Sequence, residues 1–144
     1  MKGCEIVTKS PPDSQRLLRN ALLCNALFSA LSGLALVFAH NRIGTLLGLT
    51  ENDSLTGLGV GLILFATALA FSARRSELKL PEASVAVALD FAWVLGSYVI
   101  LFLVPFSTHG KWLIAAIADI VLAFGILQWV GIYRIRNFRQ QREG

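Results

Sequence analysis

Charged side chains are scarce in this chain: Asp, Glu, Lys and Arg together make up 15% of its 144 residues. A soluble domain of that length carries far more polar surface, which sets soluble folds aside. Cysteine is scarcer still. Cys4 lies ahead of the first apolar stretch, Cys24 lies inside it, and no C-x-x-C occurs. That disfavours disulfide, thioredoxin-like and quinone-coupled thiol chemistry. The histidines are His40 and His109 alone, and no further ligands stand at the spacing a metal or haem site needs, so neither a metal nor a cofactor is expected. No nucleophile, base and ligand set is gathered anywhere, which leaves a membrane enzyme acting on lipid or quinone without visible machinery.

Apolar residues, by contrast, make up 55% of the chain, and the mean hydropathy is +0.63. They fall in four stretches, 18–39, 55–73, 83–106 and 112–133. A hydrocarbon core about 30 Å thick needs about 20 helical residues, and each stretch supplies close to that. The stretches do not alternate as barrel strands would. The sequence therefore predicts an all-α, four-span transmembrane helix bundle, a single domain over 1–144 with no loop large enough for a separate fold. Short connections predict an up-down-up-down order.

Charge placement predicts the orientation. Of the 13 basic residues, Lys2, Lys9, Arg16 and Arg19 precede the first stretch. Arg74, Arg75 and Lys79 lie between the second and third, and Arg134, Arg136, Arg139 and Arg142 follow the fourth. Only Arg42 and Lys111 fall on the other side. The positive-inside rule then puts both termini and the middle loop in the cytoplasm of a bacterial inner membrane. The net charge of +4 is read as this topology signal and as a contact for anionic lipid, not as a nucleic-acid site. The N-terminal apolar stretch is longer than a signal-peptide h-region, so it is expected to stay uncleaved. The run from Lys9 reads as a lead-in, with Asp13 or Ser14 as N-cap of the first helix. The outer loop carries Arg42, Glu51, Asn52 and Asp53, and its 43–49 segment could lie flat or re-enter.

Polar residues inside the stretches are the candidate functional residues. Asn25, Ser29 and Ser32 share one face of the first helix, bordered by Gly33, as helix–helix contact requires. Gly57 and Gly61 form a G-x-x-x-G in the second, a close-packing signal whose partner lies either inside the chain or in another subunit. Asp90 and Asp119 are the most consequential. A carboxylate in mid-span costs about 2.5–3.5 kcal/mol on insertion scales, so both are expected to face the bundle interior or water. No mid-span cation is there to pair with them, which leaves protonation, hydrogen bonding to polar neighbours, or a bound cation.

Helix rise places Asp90 about 10 Å from the cytoplasmic edge, level with Asn25, Thr67 and Gln128, and Asp119 about 10 Å higher, level with Ser97 and Ser32. Two polar tiers are thus expected. Gln128 follows Asp119 by nine residues, about 180° around a helix, so the two cannot both face the centre. One turns to a second subunit or the headgroup zone, and Gln128 is near enough to the edge to do so. Trp112, Trp129 and Tyr133 sit near span ends as an aromatic belt does, and Trp93, three residues beyond Asp90, is expected to pack in the core.

With Asn25-Ala-Leu-Phe-Ser-Ala-Leu-Ser-Gly33, Asp90-x-x-Trp93-Val-x-Gly96-Ser97 and Gln128-x-x-Gly131 before a basic tail, the chain resembles small uncharacterised bacterial four-helix inner-membrane proteins. The resemblance implies a fold and no site. Two functions are compatible with the residues. One is a non-enzymatic accessory or interaction protein, partnered by the bilayer and by a second copy or another membrane protein. The other is a small oligomeric proton- or cation-coupled transporter using Asp90 and Asp119. Small multidrug exporters share the span count and the membrane carboxylate, but their opposed orientations require a weak charge bias, unlike the strong one here.

Overall fold

The computed structural model describes residues 12–49, 53–76 and 79–143. They form helices α1 (Pro12–Leu47), α2 (Asp53–Arg74), α3 (Leu80–Leu103) and α4 (Thr108–Glu143), with no strand among the described residues. All four are long and apolar enough to cross a membrane. Cys4, Lys2, Lys9, Glu51 and Asn52, named above from sequence, lie outside the described residues.

Helix ends depart from the apolar boundaries for local reasons. At its start α1 is already helical at Pro12, so Asp13 sits in the first turn and neither Asp13 nor Ser14 is the N-cap. Its other end runs past 39: the backbone leaves helical values at Ala39 (φ −116°, ψ 19°), kinks, and resumes as helix to Leu47. The 43–49 segment is therefore mostly a helical continuation. Gly48, at φ 78°, ends it. The Gly48 amide donates to the Thr45 carbonyl (3.1 Å) and the Leu49 amide to Gly44 (2.9 Å), a Schellman stop that needs a residue free to enter the left-handed region.

Helix α3 is shifted toward the N-terminus of its apolar stretch because Pro81 suits a first turn and Pro105 cannot continue a helix. Val104, the residue before that proline, is accordingly extended (φ −108°, ψ 131°). Helix α4 continues beyond 133 to Glu143, since no Pro or Gly follows Gly131 until the last residue. At 36 residues it measures about 54 Å, longer than a hydrocarbon core, so its basic end projects as helix rather than as a loose tail.

Helix α1 packs along both α2 and α4, α3 packs along α4, and α2 and α3 barely touch. The main buried cluster joins Leu18 and Leu22 of α1, Leu69 and Ala73 of α2, Ala83 and Val87 of α3, and Ile132 and Ile135 of α4. Large apolar side chains cover the outside, Phe38 and Phe102 being 82% and 88% exposed. Such a surface suits lipid, not water.

Ser107 ties the opposite end. Its amide donates to the Leu47 carbonyl (3.0 Å), its hydroxyl donates to the Leu46 carbonyl, and the same oxygen accepts the Gly110 amide (3.0 Å) as N-cap of α4. One serine thereby finishes α1 and starts α4.

Candidate buried polar site

Asp90 faces inward from α3 and is 2% exposed. Two amides converge on one of its oxygens: Asn25 Nδ2 from α1 donates to Oδ2 at 2.7 Å, and Gln128 Nε2 from α4 donates to the same Oδ2 at 2.9 Å. The Ser29 hydroxyl donates to Asn25 Oδ1 (3.3 Å), extending the network one turn along α1. Small residues admit this approach. A Cβ on Gly125, one turn before Gln128, would stand 3.5 Å from the Asp90 Cβ, and one on Gly131 would stand 3.0 Å from that of Leu18. Gln128 Oε1 is buried and has no hydrogen-bond partner.

Three helices are thus held in register by one carboxyl and two carboxamides. Where no water competes, backbone and side-chain polar groups must find partners inside the protein, and Asp90 finds two. The chemistry open to this set is hydrogen bonding and the gain or loss of a proton. Among the described residues no three His, Cys, Asp or Glu side chains gather as a metal site.

Asp119 is placed otherwise than the sequence suggested. It lies on the exposed face of α4, where Tyr98 of α3 donates its hydroxyl to Oδ1 at 2.7 Å. The half-turn separation from Gln128 holds, but Gln128 takes the interior and Asp119 the outside. The second tier is therefore no interior cluster: Ser97 is half-buried and donates to the Trp93 carbonyl of its own helix (2.8 Å). In the first tier Thr67, expected at the level of Asp90, is exposed and donates instead to the Ile63 carbonyl of its own helix (2.8 Å). Trp93 is half-buried. The ring stacked edge-on beside the Asp90 turn is Trp129, against Phe91, with centroids 6.2 Å apart.

The glycines divide by face. Gly33 and Gly59 bring α1 and α2 together, whereas Gly57 and Gly61 have nothing within 4 Å of where a Cβ would stand. The close contact inside the chain uses the glycine between the two motif positions, and the motif itself looks outward. Gly59 was missed because its only signal, a small residue opposite Gly33 at the same depth, needs the helix pairing to be known.

A polar latch missed in the sequence closes the α2–α3 turn. Glu82 accepts from Ser72 Oγ (2.7 Å) and pairs with Arg75 (3.2 Å) and more distantly with Lys79 (3.9 Å). Arg75 also lies 5.0 Å over the Phe71 ring, and its carbonyl accepts from Arg19 Nη2 (2.9 Å). Elsewhere, the His40 ring bonds the Val37 carbonyl of its own helix (3.1 Å), His109 is exposed and Cys24 is an exposed free thiol.

No protein-family model, curated protein sequence or solved structure matches this chain.

Proposed function

We propose that this is a non-enzymatic accessory or interaction protein of a bacterial inner membrane, an up-down-up-down bundle with both termini in the cytoplasm. The observation that carries the reading is the Asp119–Tyr98 pair, a carboxyl and a phenol on an outer face otherwise made for lipid. Asp119 lies eleven residues into α4, about 16 Å along it, so the pair sits well inside a hydrocarbon core. A carboxylate there costs about 2.5–3.5 kcal/mol on insertion scales unless something polar covers it. A second copy of the chain or another membrane protein supplies that cover. The outward Gly57 and Gly61 give α2 a second face open to close helix contact. The orientation rests on the basic residues at one end.

The test is photocrosslinking in native membranes from positions beside the pair. A photoreactive residue at Leu95 or Ile120, both exposed, is expected to give a discrete protein adduct. Labelling of lipid alone from both positions contradicts the reading.

A second reading, a small oligomeric proton- or cation-coupled transporter, is favoured by one observation: Gln128 Oε1 is a buried acceptor with no donor, beside a carboxyl able to carry a proton. Asp90 is then the coupling group. Asp119 contributes only across a subunit interface, since it does not share the interior of its own chain with Asp90. Proton flux into dye-loaded vesicles separates the two readings. Asp90→Asn abolishes flux for a coupled transporter, and a protein that holds partners carries no flux to lose.

A further inference from the structure

Among the described residues, a groove between α2 and α3 and one between α3 and α4 are both apolar, and the charges at their mouths differ. The groove between α2 and α3, about 360 Å³, runs over Leu22, Phe65 and Leu89 and ends at Arg75 and Glu82. These two are paired at 3.2 Å, so that mouth presents a base already answered by an acid. The groove between α3 and α4, about 300 Å³, is walled by Phe91, Trp129 and Ile132 and ends at Ser84, Tyr133 and Arg136. Arg136 has no ion-pair partner among the described residues. The Ser84 hydroxyl is turned to the Leu80 carbonyl of its own helix (2.9 Å). The free donors at this mouth are therefore the Arg136 guanidinium and the Tyr133 phenol.

Depth fits the division between walls and mouth. Asp90 and Gln128 are hydrogen-bonded at one level. From there, Ser84 is six residues toward the N-terminus of α3, about 9 Å, and Arg136 is eight residues toward the C-terminus of α4, about 12 Å. Both steps run toward the same end of the bundle. The Phe91–Trp129 edge contact (centroids 6.2 Å apart) lies at the deeper level, one to two turns inside. The groove thus has an apolar floor at acyl-chain depth and a lone guanidinium at headgroup depth.

We propose that this groove binds one anionic phospholipid, its acyl chain against Phe91 and Trp129 and its phosphate on Arg136 and Tyr133. Charge complementarity selects the occupant. A guanidinium offers a planar fork matched to phosphate oxygens, and an unanswered positive charge favours a lipid of net negative charge over a zwitterionic one. The α2–α3 groove, with Glu82 at its mouth, lacks that preference. The site rests on the membrane reading above, and the experiment separates the two.

Trp129 is its own reporter. In the full chain carrying Trp93→Phe and Trp112→Phe, Trp129 is the one remaining tryptophan. The protein is reconstituted in vesicles of fixed phosphatidylglycerol and phosphatidylcholine content, with bromine on the acyl chains of either one lipid or the other at equal mole fraction. The site predicts that brominated phosphatidylglycerol occupies the position next to Trp129 about fivefold more effectively, the factor that about 1 kcal/mol per basic residue amounts to. Arg136→Gln abolishes the preference, Arg136→Lys keeps most of it, and Arg134→Gln, an exposed neighbour on another face, leaves it intact. Equal quenching by the two lipids overturns the site while the chain still spans the bilayer. Equal loss in R134Q and R136Q overturns it in favour of a diffuse basic rim. Quenching by neither lipid overturns both the site and the membrane reading. Helical circular dichroism of each variant guards against a folding defect, and R136K decides the case if R136Q does not fold.

Discussion

Gly33 and Gly59 meet so closely that a Cβ on either would stand 2.7 Å from the carbonyl oxygen of the other. Backbone, not a flexible side-chain tip, occupies the space, so α1 and α2 must move apart to admit even a methyl group. Gly59→Ala is expected to destabilise the bundle by about 1–3 kcal/mol, the usual range for overpacking. Gly61→Ala meets open space and is expected to be neutral or to gain up to about 1 kcal/mol from helix propensity. Unfolding in mixed micelles measures the difference. Equal loss in both variants contradicts the observed pairing.

The shared oxygen of Asp90 makes Asn25 and Gln128 a coupled pair, because each amide polarises the acceptor that the other uses. Single hydrogen bonds between membrane helices average about 0.6 kcal/mol and reach about 1.7. Asn25→Leu and Gln128→Leu should therefore each fall in that range, with a combined effect that departs from their sum. A double-mutant cycle reads the coupling directly. An additive pair removes the three-helix network as an energetic unit.

The two substitutions should also differ in size. Asn25→Leu strands the Ser29 hydroxyl as well as removing a donor from Asp90. Gln128→Leu removes a donor together with an acceptor that was already buried and unpaired. Losing an unsatisfied group offsets part of the loss of a bond. Asn25→Leu is thus expected to be the more damaging, in the same unfolding assay. The reverse order indicates that Gln128 Oε1 has a partner in the membrane, a water or a proton on Asp90.

Much of this arrangement was legible in the sequence, and the part that was not shares one cause. Four apolar stretches of bilayer length required four helices, and counting rise from their ends placed Asn25 and Gln128 at the level of Asp90. The half-turn between Asp119 and Gln128 was legible too. Which of them faces inward was not, because rotation of α4 about its axis is set by its neighbours: Leu18 seated at Gly131, and Asp90 beside Gly125. The same holds for α2. Gly57 and Gly61 lie on one face and Gly59, two residues away, lies about 200° round on the other. Periodicity supplies the two faces, and only the packing partner chooses between them. The Glu82 latch was hidden for a different reason, since it joins Ser72 and Arg75 at the end of α2 to the first turn of α3, a contact between two helices that local sequence does not specify.

Asp119 is the residue whose replacement has opposite consequences for the single chain and for its assembly. On the outer face of α4, with one hydrogen bond from Tyr98, its carboxyl is on the membrane reading a burden to insertion that no interior contact offsets. Asp119→Leu should accordingly raise the yield of inserted protein, by an amount that the insertion scale bounds at about 3–4 kcal/mol, the cost of the carboxylate plus the gain of the leucine. If a partner covers the pair, the same variant loses its crosslink from Leu95 and Ile120, because the polar contact that fixed the interface is gone. Tyr98→Phe removes the hydroxyl and keeps the carboxyl, so it should weaken the crosslink without the gain in insertion. Measuring membrane-inserted yield and crosslinked fraction for both variants separates the two effects. A gain in insertion with an unchanged crosslink places the interface elsewhere, with the outward face of Gly57 and Gly61 the next surface to probe.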